Sequence, residues 1–211
     1  SWASQYREPV SSTFPSRYQT ALNMGALIAD GFIAVEAQDG QQVKNIGRDI
    51  VALAKTLGVS ESVVARGKSI TDFAENNEWG TLKEELEATE NEVKIAMEEQ
   101  RDLDLVTLVS AGAWVRGTEV LTGVILADYS PAAARLLRQP AIVAYLRGKL
   151  NTLPPRIRSD ESVALVATRL EAIEKLVSFP VNTPPEADGV RALHEATAGI
   201  IRDLGGRKNT P

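Results

Sequence analysis

Cysteine is missing from this 211-residue chain, and histidine occurs once, at His194. Without thiols there is no disulfide scaffold, no thiolate zinc or iron–sulfur site and no cysteine nucleophile. A di-metal carboxylate bundle needs a Glu-x-x-His from each of two helices. The residue three before His194 is Arg191, and no second histidine exists. Glycine-rich phosphate loops and the Gly-x-Ser-x-Gly elbow are absent as well, so no nucleophile, base and orienting group can be assembled. We therefore expect no metal, no cofactor and no enzyme. Long uncharged apolar runs are also lacking. In the most apolar segment the longest is Leu105–Val115, short of the roughly 20 residues a membrane span requires.

No broad surplus of positive charge is present either. The net charge is −5, and it is concentrated. Between Lys83 and Asp104 nine acids face three bases, a local net of −6. One acidic element on a near-neutral body is no footprint for nucleic acid or anionic lipid, so neither is expected as a partner. The acidic element also lacks the Asp and Gly spacing of a calcium-binding loop; its Glu residues read as helix formers facing water.

What the chain does contain is helix signals. Ser16-x-x-Gln19 and Thr81-x-x-Glu84 read as capping boxes. Gly58 ends one helix and Ser60 starts the next. Ser130-Pro131, Ser159 before Asp160 and Glu161, and Thr183-Pro184-Pro185-Glu186 are further starts. Apolar residues then step by three and four: Ile50, Leu53, Ala54, Leu57; Val163, Val166, Leu170, Ile173, Val177; Val190, Leu193, Thr197, Ile200, Leu204. No convincing period-two run marks a strand. Pro140 should kink or divide 131–150.

Two segments, Leu22–Ala37 and Leu103–Ala127, are apolar almost all round, as befits helices surrounded by others. Small residues in the second (Ser110, Gly112, Ala113, Gly117, Gly123) would admit a close neighbour. The expected fold is all-α: a multi-helix bundle with two central apolar helices, about 16–39 and 102–127, and a C-terminal antiparallel helical hairpin. Residues 1–15 read as a flexible polar leader, 16–156 as the main helical domain, 157–205 as the hairpin packed on it and 206–211 as a polar tail.

The charged and polar residues inside the two central helices are the candidate site. Asn23, Asp30 and Glu36 interrupt the first, and Arg116 and Glu119 the second. Arginine offers five donors and keeps its proton, so it is the natural partner for a carboxylate out of water. A central polar pocket with Arg116 as an anion clamp is one expectation. A satisfied structural ion pair is the other. His194, at the edge of an apolar stripe, reads as a boundary residue.

The segment Asp49–Arg66 (DIVALAKTLGVSESVVAR) resembles the helix-turn-helix signature of DNA-binding repressors. Ala54, Gly58 and Val64 fall at that family's spacing, and Leu57-Gly58-Val59-Ser60 matches its turn. The resemblance implies a second helix entering the major groove, with Ser62, Arg66 and Lys68 as DNA-binding residues. A glycine stop, a tucked apolar residue and a serine start also serve any tight helical corner. Residues 44–72 carry a net of only +2, a thin surplus for phosphate binding.

The primary expectation is thus a non-enzymatic binding or scaffold protein whose partner is an unassigned small molecule or protein, with a homo-oligomer in view. The alternative is a helix-turn-helix regulator using 49–66. The chain starts at Ser1 rather than Met and lacks cysteine. The periplasm or the extracellular space is the expected compartment, the cytoplasm the alternative.

Overall fold

The computed structural model describes residues 1–206. Every described element is helical. The helices are α1 (Arg17–Glu36), α2 (Gly40–Leu57), α3 (Ser60–Glu75), α4 (Trp79–Glu99), α5 (Leu103–Ala127), the single turn α6 (Pro131–Ala134), α7 (Pro140–Asn151), the single turn α8 (Pro155–Arg158), α9 (Glu161–Leu176) and α10 (Ala187–Leu204). The chain is an all-α multi-helix bundle, as its pattern predicts.

The first four helices close a ring, α1 on α2, α2 on α3, α3 on α4 and α4 back on α1. A second ring runs α5, α7, α9, α10 and back to α5. Their main seam is the packing of α1 on α5, the most extensive among the described helices. Buried apolar residues from every long helix form one contiguous cluster across both rings. The C-terminal hairpin contributes fully: α10 lies on α5 and α9 on α7.

Glycine sets how closely the seam closes. A Cβ on Gly25 of α1 would overlap the Val109 carbonyl of α5, and a Cβ on Gly112 of α5 would overlap the Leu22 carbonyl of α1. The two sites are reciprocal. Each helix presents a glycine to the other's backbone, so the axes approach until main chain meets main chain.

The first four inter-helix corners are built alike. Gln38, Gly58, Asn77 and Arg101 each adopt the left-handed conformation, at φ of 53°, 76°, 57° and 57°. In each, the next residue's N–H bonds back to a carbonyl five positions earlier: Asp39 to Ala34, Val59 to Ala54, Glu78 to Phe73 and Asp102 to Met97, at 2.8–3.0 Å. This is the Schellman closure, which satisfies the helix's last carbonyls. Only one of the four uses glycine.

Some starts follow the sequence signals and some shift. Ser16 accepts from Gln19 N at 3.0 Å and Ser130 from Ala133 N at 3.1 Å. Gln19 does not reach back to complete the box; its Nε2 donates to the Leu204 carbonyl instead. Helix α4 begins at Trp79, so Thr81 is already inside it. Asp160 rather than Ser159 caps α9, since its carboxylate reaches the amides of both Ser162 and Val163. Helix α10 begins at Ala187 with Glu186 as its extended N-cap; a residue before proline disfavours the helical conformation, which works against an earlier start at Thr183 or Pro184. Helix α3 starts at Ser60, whose side chain lies outside the described residues. Pro140 divides its segment, opening α7 after a short 3-10 turn at Arg135–Leu137.

Gly112→Ala is expected to destabilise the protein by about 1–3 kcal/mol or more, as overpacking of a closed interface does. Gly117→Ala on the same helix meets open space and should gain up to about 1 kcal/mol from helix propensity. Urea unfolding of both variants checks the contrast.

Candidate functional site

The sequence-predicted residues divide into a group that meets and a group that does not. Asp30, Arg116 and Glu119 meet at the seam. Arg116 is buried, with 2% of its surface exposed. Its Nε donates to Asp30 Oδ1 at 2.7 Å and its Nη1 to Glu119 Oε2 at 2.8 Å. Its Nη2 donates to the Gln5 carbonyl. Burial would push the guanidinium's pKa down, but the Asp30 and Glu119 charges outweigh that and hold it above its usual value.

Arg7 joins from the N-terminal segment, donating through Nε to Asp30 Oδ2 at 2.9 Å. Asp30 therefore lies between two guanidinium groups. The segment that carries Arg7 has a 3-10 turn at Trp2–Gln5, and Phe14 packs on the core. The Gln5 side chain occupies the space where a Cβ on Gly123 would stand. Tyr6 donates to Asp39 at 3.3 Å. Desolvation, with Asp39's charge second, pushes the Tyr6 phenol up to about 12.

Glu36 and Asn23 lie apart from this group. Glu36 is on the surface, where Lys83 pairs with it at 3.3 Å. Asn23 is buried and does a different job: its Nδ2 donates to the Leu204 carbonyl at 2.8 Å and the Gln19 carbonyl at 2.9 Å, so α1 caps the end of α10. Its Oδ1 has no partner among the described residues. His194 also joins α10 to α5, with Nδ1 2.9 Å from Thr122 Oγ1 and 3.0 Å from the Glu119 carbonyl.

The α2–α3 corner is tight, with Gly58 left-handed and Val59 buried. Of the three residues the helix-turn-helix resemblance selects, Ser62 is half-buried and Lys68 exposed. Arg66 turns to α4, where Glu85 lies at 3.3 Å and Glu92 at 3.4 Å.

A feature that the interrupting charges did not reveal lies along another side of the seam. A trough of about 420 Å³ runs between α1, α4 and α5. Ile28, Phe32 and Ile33 line one wall and Val120 and Leu121 the other, with Trp2 at the edge. Ala29, Ala113 and Gly117 make it hollow, because short side chains leave the groove between the two helices unfilled. Its charged residues are the paired Glu36 and Lys83, and Glu90. Among the described residues no group of acids and histidine is arranged to hold a metal ion. No described helix is long and apolar enough to cross a membrane.

Comparison of the chain with family models, with curated proteins and with solved structures finds no match.

Arg116→Met should cost about 1–3 kcal/mol, because it leaves the part-buried Glu119 carboxylate without its guanidinium and Asp30 with Arg7 alone. It should also speed limited proteolysis within residues 1–15, which loses the Gln5 anchor. Tyr6 gives a separate check. Its folded pKa lies above the ordinary value near 10, so the stability it contributes is full below about pH 10 and is lost as pH rises towards about 12. The ultraviolet phenolate titration of the protein minus that of Tyr6→Phe should show one late-ionising tyrosine.

Proposed function

We propose that this chain is a non-enzymatic binding protein that takes an apolar or amphipathic small molecule into the trough along the α1–α5 seam. The observation that carries this reading is the hollow itself. Two helices that elsewhere touch backbone to backbone leave about 420 Å³ between apolar walls. Small-molecule sites have this character: concave, within roughly 300–1,000 Å³, mostly apolar, with a few polar groups that fix orientation. Glu36 and Lys83 supply such groups, so the ligand class has an apolar body and a polar or ionic end.

On this reading the Arg116 cluster is scaffold rather than clamp. Each of its three guanidinium nitrogens already has a protein acceptor, and it fixes the helices whose far faces form the trough. Binding without chemistry also suits a trough whose charged groups are a satisfied pair and one glutamate. The proposed compartment is the periplasm or extracellular space; fractionation of source cells with an antibody against the chain checks it.

The dye anilinonaphthalenesulfonate, apolar with one anionic group, serves as the probe. Titration should give one dye per chain, with energy transfer from tryptophan that weakens in Trp2→Phe. Gly117→Phe fills the trough and should weaken binding at least tenfold, about 1.4 kcal/mol, while the far-ultraviolet circular dichroism is unchanged. Equal affinity for Gly117→Phe would sink the proposal.

A further inference from the structure

A second hollow lies between α2 and α3, with a volume of about 400 Å³. Its floor is Gly47, Val51, Ala52, Val64 and Gly67, and its charged residues are Lys44, Arg48, Lys55 and Lys68. No acid lines it. In a chain of net charge −5, this is a concentrated reversal of sign. Among the described residues Arg48, Lys55 and Lys68 make no ion pair, and Lys44 has only a long one, 3.8 Å to an exposed Glu75.

The opposite pattern stands on the other side of α3. The exposed ridge of α4 carries Glu84, Glu87, Asn91, Ile95 and Glu98 at steps of three and four. Among the described residues these three glutamates make no ion pair, unlike Glu85, Glu90 and Glu92 beside them. Ile95 is 47% exposed, as is Val64 in the groove.

We infer that the basic α2–α3 groove receives the acidic α4 ridge of a second copy of this chain. Spacing supports the match. Lys44 to Lys55 and Glu87 to Glu98 both span eleven residues, about 16 Å along a helix. Each set has its apolar residue between its charges: Val51 and Ala52 in the groove, Ile95 on the ridge. Composition supports it too, since an apolar floor suits an isoleucine better than it suits a row of phosphates. Groove and ridge flank the same helix, and the contact we infer is two-fold, with each copy's ridge in the other's groove. Such a contact is self-complementary and closes at the dimer. The ion pairs lie at the rim and supply orientation; the apolar contact lies between them.

Charge reversal with mixing is the test, read by sedimentation velocity on the full chain. The unmodified protein should be a dimer at micromolar concentration and dissociate as salt is raised, since screening weakens exposed pairs. Lys44→Glu with Lys55→Glu should weaken association at least tenfold, and so should Glu87→Lys with Glu98→Lys, about 1.4 kcal/mol each. Lys55, Glu87 and Glu98 are exposed and Lys44 is half-buried, so circular dichroism should stay the same. An equal mixture of the two double variants should form a heterodimer, because one contact keeps its native charges and the other has both signs exchanged. A monomer at every concentration would overturn the inference. So would a dimer indifferent to either variant, a mixture that fails to associate, or a monomer that instead shifts duplex DNA through Lys55 and Lys68.

Discussion

Everything else in the molecule is arranged around the reciprocal glycine contact between α1 and α5. Two helices that meet backbone to backbone cannot slide, because each glycine is keyed to one carbonyl of the other. That fixes their register. It also sets where the flanking side chains fall: Asp30 opposite Arg116 on one side, and small residues facing each other on another. The rings on either side then complete the burial of two helices that have no polar face to offer water.

The buried charges follow from that register. A guanidinium removed from water is tolerated only when carboxylates and carbonyls replace its hydration. Here Asp30, Glu119 and the Gln5 carbonyl do so, and Arg7 adds a second cation beyond Asp30. The cluster thereby holds the N-terminal segment against the bundle. A stretch whose core contact is through Phe14 is held as well by charge pairs.

The fold was legible because apolar period and helix stops are local properties. Leu22–Ala37 and Leu103–Ala127 advertise burial by composition alone, and Gly58 advertises its corner. The equivalent corners at Gln38, Asn77 and Arg101 were not legible, since those residue types serve many conformations and only the tertiary path forces them left-handed. Asp39, which caps α2 through Gln42 N, is an ordinary acid in sequence. The site was legible in part. Charges inside apolar helices had to be paired, and Asp30, Arg116 and Glu119 are. Glu36 shares a segment with Asp30, but it lies at the end of α1, where the surface and Lys83 are in reach. Arg7 sits far away in sequence, with nothing local to mark its partner. The trough is an absence of side chain on two distant segments at once, and Ala29 with Gly117 becomes informative only when the register is known.

The bond from Asn23 to the Leu204 carbonyl bears on how the chain reaches this state. It joins the first long helix to the last residue of the final one, across 181 positions. The environment of α1 is therefore incomplete until α10 is present. On a ribosome, α2 and α5 would cover most of α1 first, and the stretch around Asn23 would wait for α10. Such a topology couples α1 to α10, so that fraying of either helix at this contact is resisted by the other.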